Sequence, residues 1–148
     1  MKKNIKVLFV CSGNICRSPM AEIIFNNMLK KGRKKGIISK SAGIDAAVNM
    51  PMSDYSSAAL KQCGEVTPRK IIYATQMTKQ MIKEYDHIVC MTKSHKYQID
   101  PKGFWPHVFT VDAIDVADPW GESIDSYISV CKHLQESIKK LYFKLCRN

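Results

Sequence analysis

The residues best suited to chemistry lie close together near the start of the chain, in segment 11–18, Cys-Ser-Gly-Asn-Ile-Cys-Arg-Ser. A cysteine attacks as its thiolate, and the N–H groups and dipole of a helix N-terminus favour that negative charge. The same N–H groups can hold the oxygens of a phosphate dianion, and Arg17 adds a planar fork that binds two of them. Ser18 can donate a hydrogen bond to the Cys11 sulfur. The segment therefore predicts a phosphate site in which Cys11, with a lowered pKa, attacks phosphorus.

The spacing between Cys11 and Arg17 is a weak signal by itself, because a chain of this composition gives roughly 0.3 such matches by chance. Its context is a stronger signal. An apolar run at 7–10 precedes it, Gly13 lies inside it, and Ser18 and Pro19 predict the N-cap and first turn of a helix. Spacing and context leave one alternative open, a buried cysteine at the end of a strand with Arg17 as a surface cation.

The elements that must position this loop follow from an alternation of apolar runs and helical periods. We predict strands over 6–10, 37–42, 87–91 and 108–111, and helices over 20–31, 53–63, 78–85, 92–99 and 124–145. Such alternation indicates an α/β fold with a doubly wound, flavodoxin-like sheet of four parallel strands, flanked by helices on both faces. Ligands of such sheets bind at the carboxyl ends of the strands, where segment 11–18 falls.

Length and composition predict one domain over 1–148, because 148 residues with 45% apolar content can bury one core. The apolar run at 7–10 is too short for a membrane span or a secretion signal, which predicts a cytoplasmic protein without membrane contact. The six cysteines and four histidines lack metal-clip spacing, so neither a structural metal nor a disulfide framework is expected.

The net charge of +10 suits an anionic partner, and nucleic acids, membrane surfaces and phosphorylated substrates all qualify. The densest basic run, at 30–35, is typical of a solvated helix end. No aromatic residue interleaves with this run, so a nucleic-acid partner is not predicted.

Three motifs together resemble the low-molecular-weight protein tyrosine phosphatases. The string Val-Cys-Ser-Gly-Asn-Ile-Cys-Arg-Ser-Pro at 10–19 is similar to the family signature, and Asp118-Pro119-Trp120 is similar to its Asp-Pro-aromatic motif. Ser-Ala-Gly at 41–43 resembles the motif that follows the second strand in the family. The order and spacing of these pieces extend the resemblance over nearly the whole chain.

The resemblance implies hydrolysis of phosphotyrosine through a phosphocysteine on Cys11, without a metal or other cofactor. Asp118 would protonate the departing phenolate and later deprotonate the hydrolytic water. Asp115, on the same loop, competes for that role, and the Asp-Pro pairing favours Asp118. Arg17 and the loop would hold the phosphate or a similar oxyanion, which assigns binding to Ser12, Gly13, Asn14, Ile15, Cys16 and Ser18.

Four further roles come from the resemblance. Asn14 would hold the loop in shape, although Asn also suits a left-handed turn, and Ser41 would be its hydrogen-bond partner. Trp120 would form an aromatic wall beside the substrate ring, with a core or rim aromatic as the alternative. Cys16 would form a reversible disulfide with Cys11 that protects it from over-oxidation, with a buried small apolar residue as the alternative.

The sequence departs from the family at three places. Many members have an aromatic second pocket wall shortly after Ser-Ala-Gly, whereas segment 44–50 has none, so we expect Val48, Asn49 or Met50 there. A histidine that often supports the phosphate loop is absent at 71–72, and Thr92 replaces a common aspartate. These changes affect the expected substrate preference and loop rigidity, and they leave the nucleophile unchanged.

Three other functions remain to be weighed. Protein arginine phosphatases share the scaffold but have a threonine before the second loop cysteine. This chain has Ile15 there, and a bulkier apolar residue favours phosphotyrosine as the substrate. Arsenate reductases of this fold need two extra cysteines a short distance apart, and Cys63 and Cys90 are too far apart in sequence. A binding module for phosphate or phosphopeptides would not need Cys11, Arg17 and Asp118 together. The expected partner is a phosphotyrosine protein or peptide, and the expected state is a monomer or weak dimer.

Overall fold

The computed structural model describes residues 3–146, which form one four-stranded sheet and five helices. The strands are β1 (Ile5–Cys11), β2 (Ile37–Gly43), β3 (His87–Cys90) and β4 (Val108–Thr110). The helices are α1 (Arg17–Lys31), α2 (Asp54–Gln62), α3 (Lys79–Glu84), α4 (Lys93–Ile99) and α5 (Ile124–Leu145). None of these helices is long and apolar enough to cross a membrane.

The sheet is parallel throughout, with strand order β2-β1-β3-β4. The central strand β1 is buried on both faces over its last five residues, which explains why its sequence is an unbroken apolar run. Phe9 of β1 pairs with Ser41 of β2 on one side and Val89 of β3 on the other. The predicted fold class is therefore confirmed.

Two apolar cores cover the two faces of the sheet. On one face Phe9 packs with α1, α2 and α5, and its ring meets that of Phe25 edge-on at 5.6 Å. On the other face, Leu8 and Val10 pack against α3 and α4. Burying one side chain of this size contributes about 1.5–3 kcal/mol to the stability of the fold. The last residues of β1 are therefore held in place, and they position the loop that follows.

Helix α1 begins earlier than its sequence predicts. Cys16 is the N-cap and Arg17 the first helical residue, so the predicted N-cap at Ser18 is wrong, whereas Pro19 lies in the first turn as predicted. The physical reason is that the Ser18 hydroxyl contacts the preceding loop instead of an N–H group of its own helix. Gly32 ends α1 as predicted, and α5 has its predicted bounds.

Candidate active site

Cys11 is the last residue of β1, and its thiol lies buried at the base of the 11–18 loop. Its sulfur is 2.9 Å from the Ser18 hydroxyl, at the distance that the predicted hydrogen bond requires. Burial raises the pKa of the Cys11 thiol, against the opposing effects of the Ser18 hydroxyl, backbone N–H groups and the Arg17 charge. The Ser18 hydroxyl, the backbone N–H groups and Arg17 act in the expected direction and burial opposes them, so the lowered pKa stays a prediction.

Asn14 fixes the shape of the loop from both ends of its amide. It has a left-handed backbone with φ of 60°, its Nδ2 donates to Ser18 Oγ at 2.7 Å, and its Oδ1 accepts from the Thr75 N–H at 2.8 Å. Because Ser18 Oγ accepts from Asn14, its own proton is left to donate to the Cys11 sulfur, the nearer of its two other neighbours. Asn14 thus orients the hydroxyl that contacts the thiol.

The predicted bond between Ser41 and Asn14 is wrong. Ser41 instead donates to Glu22 Oε1 at 2.7 Å, on the side of β2 that faces α1. Burial raises the pKa of the Glu22 carboxyl. The backbone of Thr75 supplies the support to Asn14, so the loop has an anchor despite the absence of a histidine at 71–72.

The loop backbone turns its carbonyl groups outward. The carbonyls of residues 11, 12 and 13 accept from N–H groups of segment 44–47, and that of Ile15 accepts from Ser53. Within residues 3–146, the N–H groups of Gly13, Asn14, Ile15 and Cys16 meet no acceptor oxygen. The Asn14 N–H points to the Cys11 sulfur. Consecutive N–H groups without an acceptor oxygen around a left-handed residue form an anion-binding nest, which agrees with the predicted phosphate site.

Arg17 is buried at the start of α1 and is held by the loop after β4. Its Nη1 donates to the Val116 carbonyl at 3.0 Å, and its Nη2 lies 3.6 Å from Asp118 Oδ2. This contact excludes the alternative in which Arg17 is a surface cation. The guanidinium joins the loop at 11–18 to the loop that carries Asp118, which lies about a hundred residues further along the chain.

The two candidate acids have different surroundings. Asp115 Oδ1 accepts from the Lys93 N–H at 2.9 Å and so anchors the loop to α4. The Asp118 side chain is 56% exposed, with Oδ1 accepting from the Trp120 N–H and Oδ2 facing Arg17. Asp118 is therefore the carboxylate that faces Arg17 and the loop at 11–18.

A cleft of about 600 Å³ opens beside the loop. Ile15 and Trp120 line it, and the Trp120 side chain is exposed, as a wall for a flat ring requires. Of the three residues expected in the second wall, Met50 lines the cleft, whereas Val48 and Asn49 do not. Tyr55 also lines the cleft, and no motif in the sequence pointed to it.

Cys16 and Cys11 are both free and buried thiols. The Cys16 sulfur lies 3.6 Å from the hydroxyls of Ser53 and Tyr127. The second cysteine of the loop is therefore held against α2 and α5, and the reversible disulfide stays a prediction.

Sequence reasoning also missed His95, in the first turn of α4. The His95 ring lies between two hydroxyls, with Nε2 2.9 Å from Ser12 Oγ and Nδ1 3.0 Å from Thr92 Oγ1. Burial, and then the nearby Arg17 charge, lower the pKa of His95 to about 4. A lone histidine so far from the loop in sequence carries no pattern that could have identified this contact.

The structure also shows where the two extra cysteines considered for arsenate reduction lie, and whether metal-ligating side chains cluster. Cys63 is the C-cap of α2 and packs with the core on the α1 face, whereas Cys90 lies in β3 within the opposite core. The sheet thus separates these two thiols. No cluster of three metal-ligating side chains occurs in the part of the chain that the structure describes.

Comparison with known proteins identifies the family. The family described as low molecular weight phosphotyrosine protein phosphatase matches residues 6–148. The chain is 32% identical to a protein-arginine-phosphatase of Geobacillus stearothermophilus, with 95% of each protein covered. It is 33% identical to the low molecular weight protein-tyrosine-phosphatase PtpB of Staphylococcus aureus, with 96% of this chain and 100% of the relative covered.

Solved structures agree with this assignment. The low molecular weight protein tyrosine phosphatase from T. tengcongensis has a TM-score of 0.83 and 33% identity, covering 95% of this chain and 99% of that one. The tyrosine phosphatase Wzb from Escherichia coli K30, in complex with sulphate, has a TM-score of 0.82 and 26% identity, covering 95% and 97%. The chain therefore belongs to the low molecular weight phosphotyrosine protein phosphatase family and is a protein phosphatase.

Proposed function

We propose that this phosphatase hydrolyses phosphotyrosine in proteins through a phosphocysteine intermediate on Cys11. The observation that carries the proposal is the arrangement of a buried thiol beside loop N–H groups that meet no acceptor oxygen, with Arg17 joining that loop to Asp118. A thiol, a fixed cation and a carboxylic acid are the three groups that stepwise phosphoryl transfer needs here.

In the first step the Cys11 thiolate attacks phosphorus in line with the departing phenolate. The S–P bond forms as the P–O bond to tyrosine breaks, and Asp118 gives its proton to the phenolate oxygen. Arg17 and the N–H groups of the loop hold the three equatorial oxygens, on which charge is spread in the transition state. The Ser18 hydroxyl stabilises the sulfur as a thiolate, which matters because burial opposes that charge.

In the second step a water molecule attacks the phosphocysteine. The Asp118 carboxylate takes a proton from that water, the S–P bond breaks, and Cys11 leaves as a thiolate, with inorganic phosphate as the product. Both carboxylates are exposed, but Asp118 faces Arg17 at the loop, whereas Asp115 binds the Lys93 N–H at the N-terminus of α4.

The lining of the cleft favours phosphotyrosine over phosphoarginine. Ile15 and Trp120 present apolar surface to the substrate, which suits a phenol ring. A guanidinium placed against Ile15 would lose water without gaining a hydrogen bond. Phosphoarginine is nevertheless the second candidate, because relatives in Geobacillus stearothermophilus and Bacillus subtilis are named protein-arginine-phosphatases.

The test begins with hydrolysis of p-nitrophenyl phosphate by freshly reduced wild type and by Cys11→Ser. Turnover that disappears in the variant supports the nucleophile, and no turnover in the wild type contradicts the proposal. Matched phosphotyrosine and phosphoarginine peptides then give the ratio of kcat/KM for the two substrates. We expect the ratio to favour phosphotyrosine and to fall in Ile15→Thr, since the resemblance implies threonine at this position in arginine phosphatases.

The role of the acid has its own test. Asp118→Asn should lower kcat for a phosphotyrosine peptide by about 10²–10⁴-fold, the usual contribution of general acid–base catalysis. The loss should be smaller with p-nitrophenyl phosphate, because p-nitrophenolate leaves without a proton. Asp115→Asn is the matched control, and an equal loss in that variant would contradict the assignment. A cytoplasmic location and a monomeric or weakly dimeric state stay predictions from the sequence.

A further inference from the structure

His95 of α4 lies against the phosphate loop. Its side chain is buried, with the residue 3% exposed, and its two ring nitrogens contact the hydroxyls of Ser12 and Thr92. Ser12 directly follows the nucleophile, and its own side chain is exposed. The buried ring therefore connects the N-cap of α4 to a hydroxyl at the mouth of the site.

The hydrogen bonds of Thr92 select one tautomer of the ring. Thr92 Oγ1 caps α4 by accepting the His95 backbone N–H at 3.1 Å. If the Thr92 hydroxyl donates to Nδ1, both its donor and an acceptor position are used, and the ring carries its hydrogen on Nε2. In the other tautomer the half-buried Thr92 hydroxyl, instead of the exposed Ser12 hydroxyl, would be the one whose proton has no partner in the described chain, and Ser12 is the one that solvent or a ligand reaches more easily.

The selected tautomer decides what Ser12 can do. An N–H on Nε2 donates to Ser12 Oγ, so the Ser12 oxygen is an acceptor in that contact. The proton of the Ser12 hydroxyl then has no acceptor within residues 3–146, and it belongs to an exposed side chain beside the nest of N–H groups. A phosphoryl oxygen held by that nest would reinforce the same arrangement, because it can only accept a hydrogen bond.

Burial keeps the ring neutral, although the charged groups around it act in both directions. Arg17, at the start of α1, opposes a positive charge on His95, while Asp115 and Asp118 on the neighbouring loop favour it. Burial outweighs the two carboxylates, so the pKa of about 4 leaves the ring uncharged above that pH. The direction of the bond to Ser12 is therefore constant over the range in which an ordinary histidine titrates.

We propose that His95, fixed by Thr92, is a positioning residue that holds the Ser12 hydroxyl as a hydrogen-bond donor to a phosphoryl oxygen. The Ser12 hydroxyl adds a donor to those of Arg17 and the loop backbone. This role rests on the proposed function, and it concerns the binding of a phosphate group independently of which phosphorylated residue is hydrolysed.

The test measures the dissociation constant of inorganic phosphate by titration calorimetry, which does not depend on turnover. A hydrogen bond to a charged group is lost in Ser12→Ala, so we expect about tenfold weaker binding, with a similar loss in kcat/KM. Ser12→Thr keeps the hydroxyl and should restore most of the affinity. Ser94→Ala, on the exposed side of α4, is the control and should bind like the wild type.

The His95 variants separate positioning from general support of the fold. His95→Leu should weaken phosphate binding as much as Ser12→Ala does, and the double variant should show no further loss, because both changes remove the same bond. Losses that multiply in the double variant would overturn the proposal, as would unchanged phosphate binding in Ser12→Ala. Should His95→Leu fail to fold, Thr92→Val replaces it, and phosphate affinity equal to that of the wild type would then refute the proposal.

These outcomes are distinct from failure of the proposed function. A wild type that binds phosphate but hydrolyses no phosphorylated substrate would contradict the proposed function alone. A wild type that hydrolyses substrates while Ser12→Ala keeps full phosphate affinity would contradict the role of His95 alone.

Discussion

Replacing Gly43 with alanine tests how closely the end of β2 packs against the phosphate loop. A Cβ at this position would lie 2.5 Å from the Ser12 carbonyl oxygen, 3.0 Å from Asn14 Cβ and 3.1 Å from Ala46 Cβ. The nearest of these contacts is backbone, so no side-chain rotation can relieve it. The resemblance to the family places a glycine here, and the close approach of the loop is the physical reason for it.

The size of the effect follows from that distance. The Ser12 carbonyl must move by at least about 0.5 Å to reach a 3.0 Å contact, and the move disturbs its hydrogen bond with the Asp45 N–H. Overpacking of this kind typically costs about 1–3 kcal/mol of stability. A displacement of about 1 Å at a reacting centre can lower the rate about 10²-fold. We therefore expect Gly43→Ala to lower kcat/KM by about tenfold to a hundredfold.

The assay combines urea unfolding with kcat/KM for p-nitrophenyl phosphate per folded molecule. Gly32→Ala is the matched control, because its added Cβ would also clash, at 2.0 Å from the Tyr142 hydroxyl, at the far end of α1. That contact is the end of a side chain, so it should lower stability and leave kcat/KM unchanged. Equal activity in Gly43→Ala and the wild type would refute the argument that the end of β2 sets the loop geometry.

The remaining predictions concern Asn14, the oxidation of Cys11, and Asp112, which follows β4 and precedes Asp118 in the same loop. Asn14→Ala and Asn14→Gly both lose two hydrogen bonds, but alanine must also adopt φ of 60°. The alanine variant should therefore lose about 1–2 kcal/mol more unfolding free energy than the glycine variant. Equal losses in the two variants would contradict this. Peroxide treatment of the wild type should give a Cys11–Cys16 disulfide peptide that mass spectrometry detects. In Cys16→Ser the same treatment should oxidise Cys11 irreversibly. Absence of the disulfide peptide in the wild type would contradict the redox role of Cys16. Hydrogen bonds from Ser137 and the Ile114 N–H lower the pKa of Asp112 from 3.8 to about 2. The stabilisation from Asp112 is therefore present above pH 3.8 and is lost as the pH falls through about 2. Asp112→Asn should be less stable than the wild type at neutral pH, with a difference that shrinks over that window, and a difference independent of pH would show that the carboxylate is not responsible.

Some features of the site could be predicted because they are local in sequence. Segment 11–18 follows an apolar strand and leads into a helix, so the order of residues alone brings Cys11, the nest and Arg17 around one small volume. The parallel sheet was equally predictable, because the residue pattern of each short segment indicates a strand or a helix, and strands and helices alternate. These features depend on backbone geometry, which neighbouring residues in the chain control.

The features that sequence reasoning missed depend on which side chains meet across the fold. Ser41 was expected to bond Asn14, but its position on β2 directs it to Glu22 of α1. The resemblance favoured Asp118 over Asp115, and the contacts of the two carboxylates, with Arg17 and with the N-terminus of α4, are visible only in the structure.

The sequence by itself determined the fold of this phosphatase, and it predicted Cys11 as the nucleophile and Arg17 as the phosphate clamp. Only the tertiary structure decided that Thr75 anchors Asn14, that Tyr55 borders the cleft and that His95 contacts Ser12. Ser12 and His95 are 83 positions apart, and no local pattern connects them. Their contact exists because β1 and β3 are adjacent parallel strands, which bring the ends of both strands, and the loops that follow, to the same edge of the sheet.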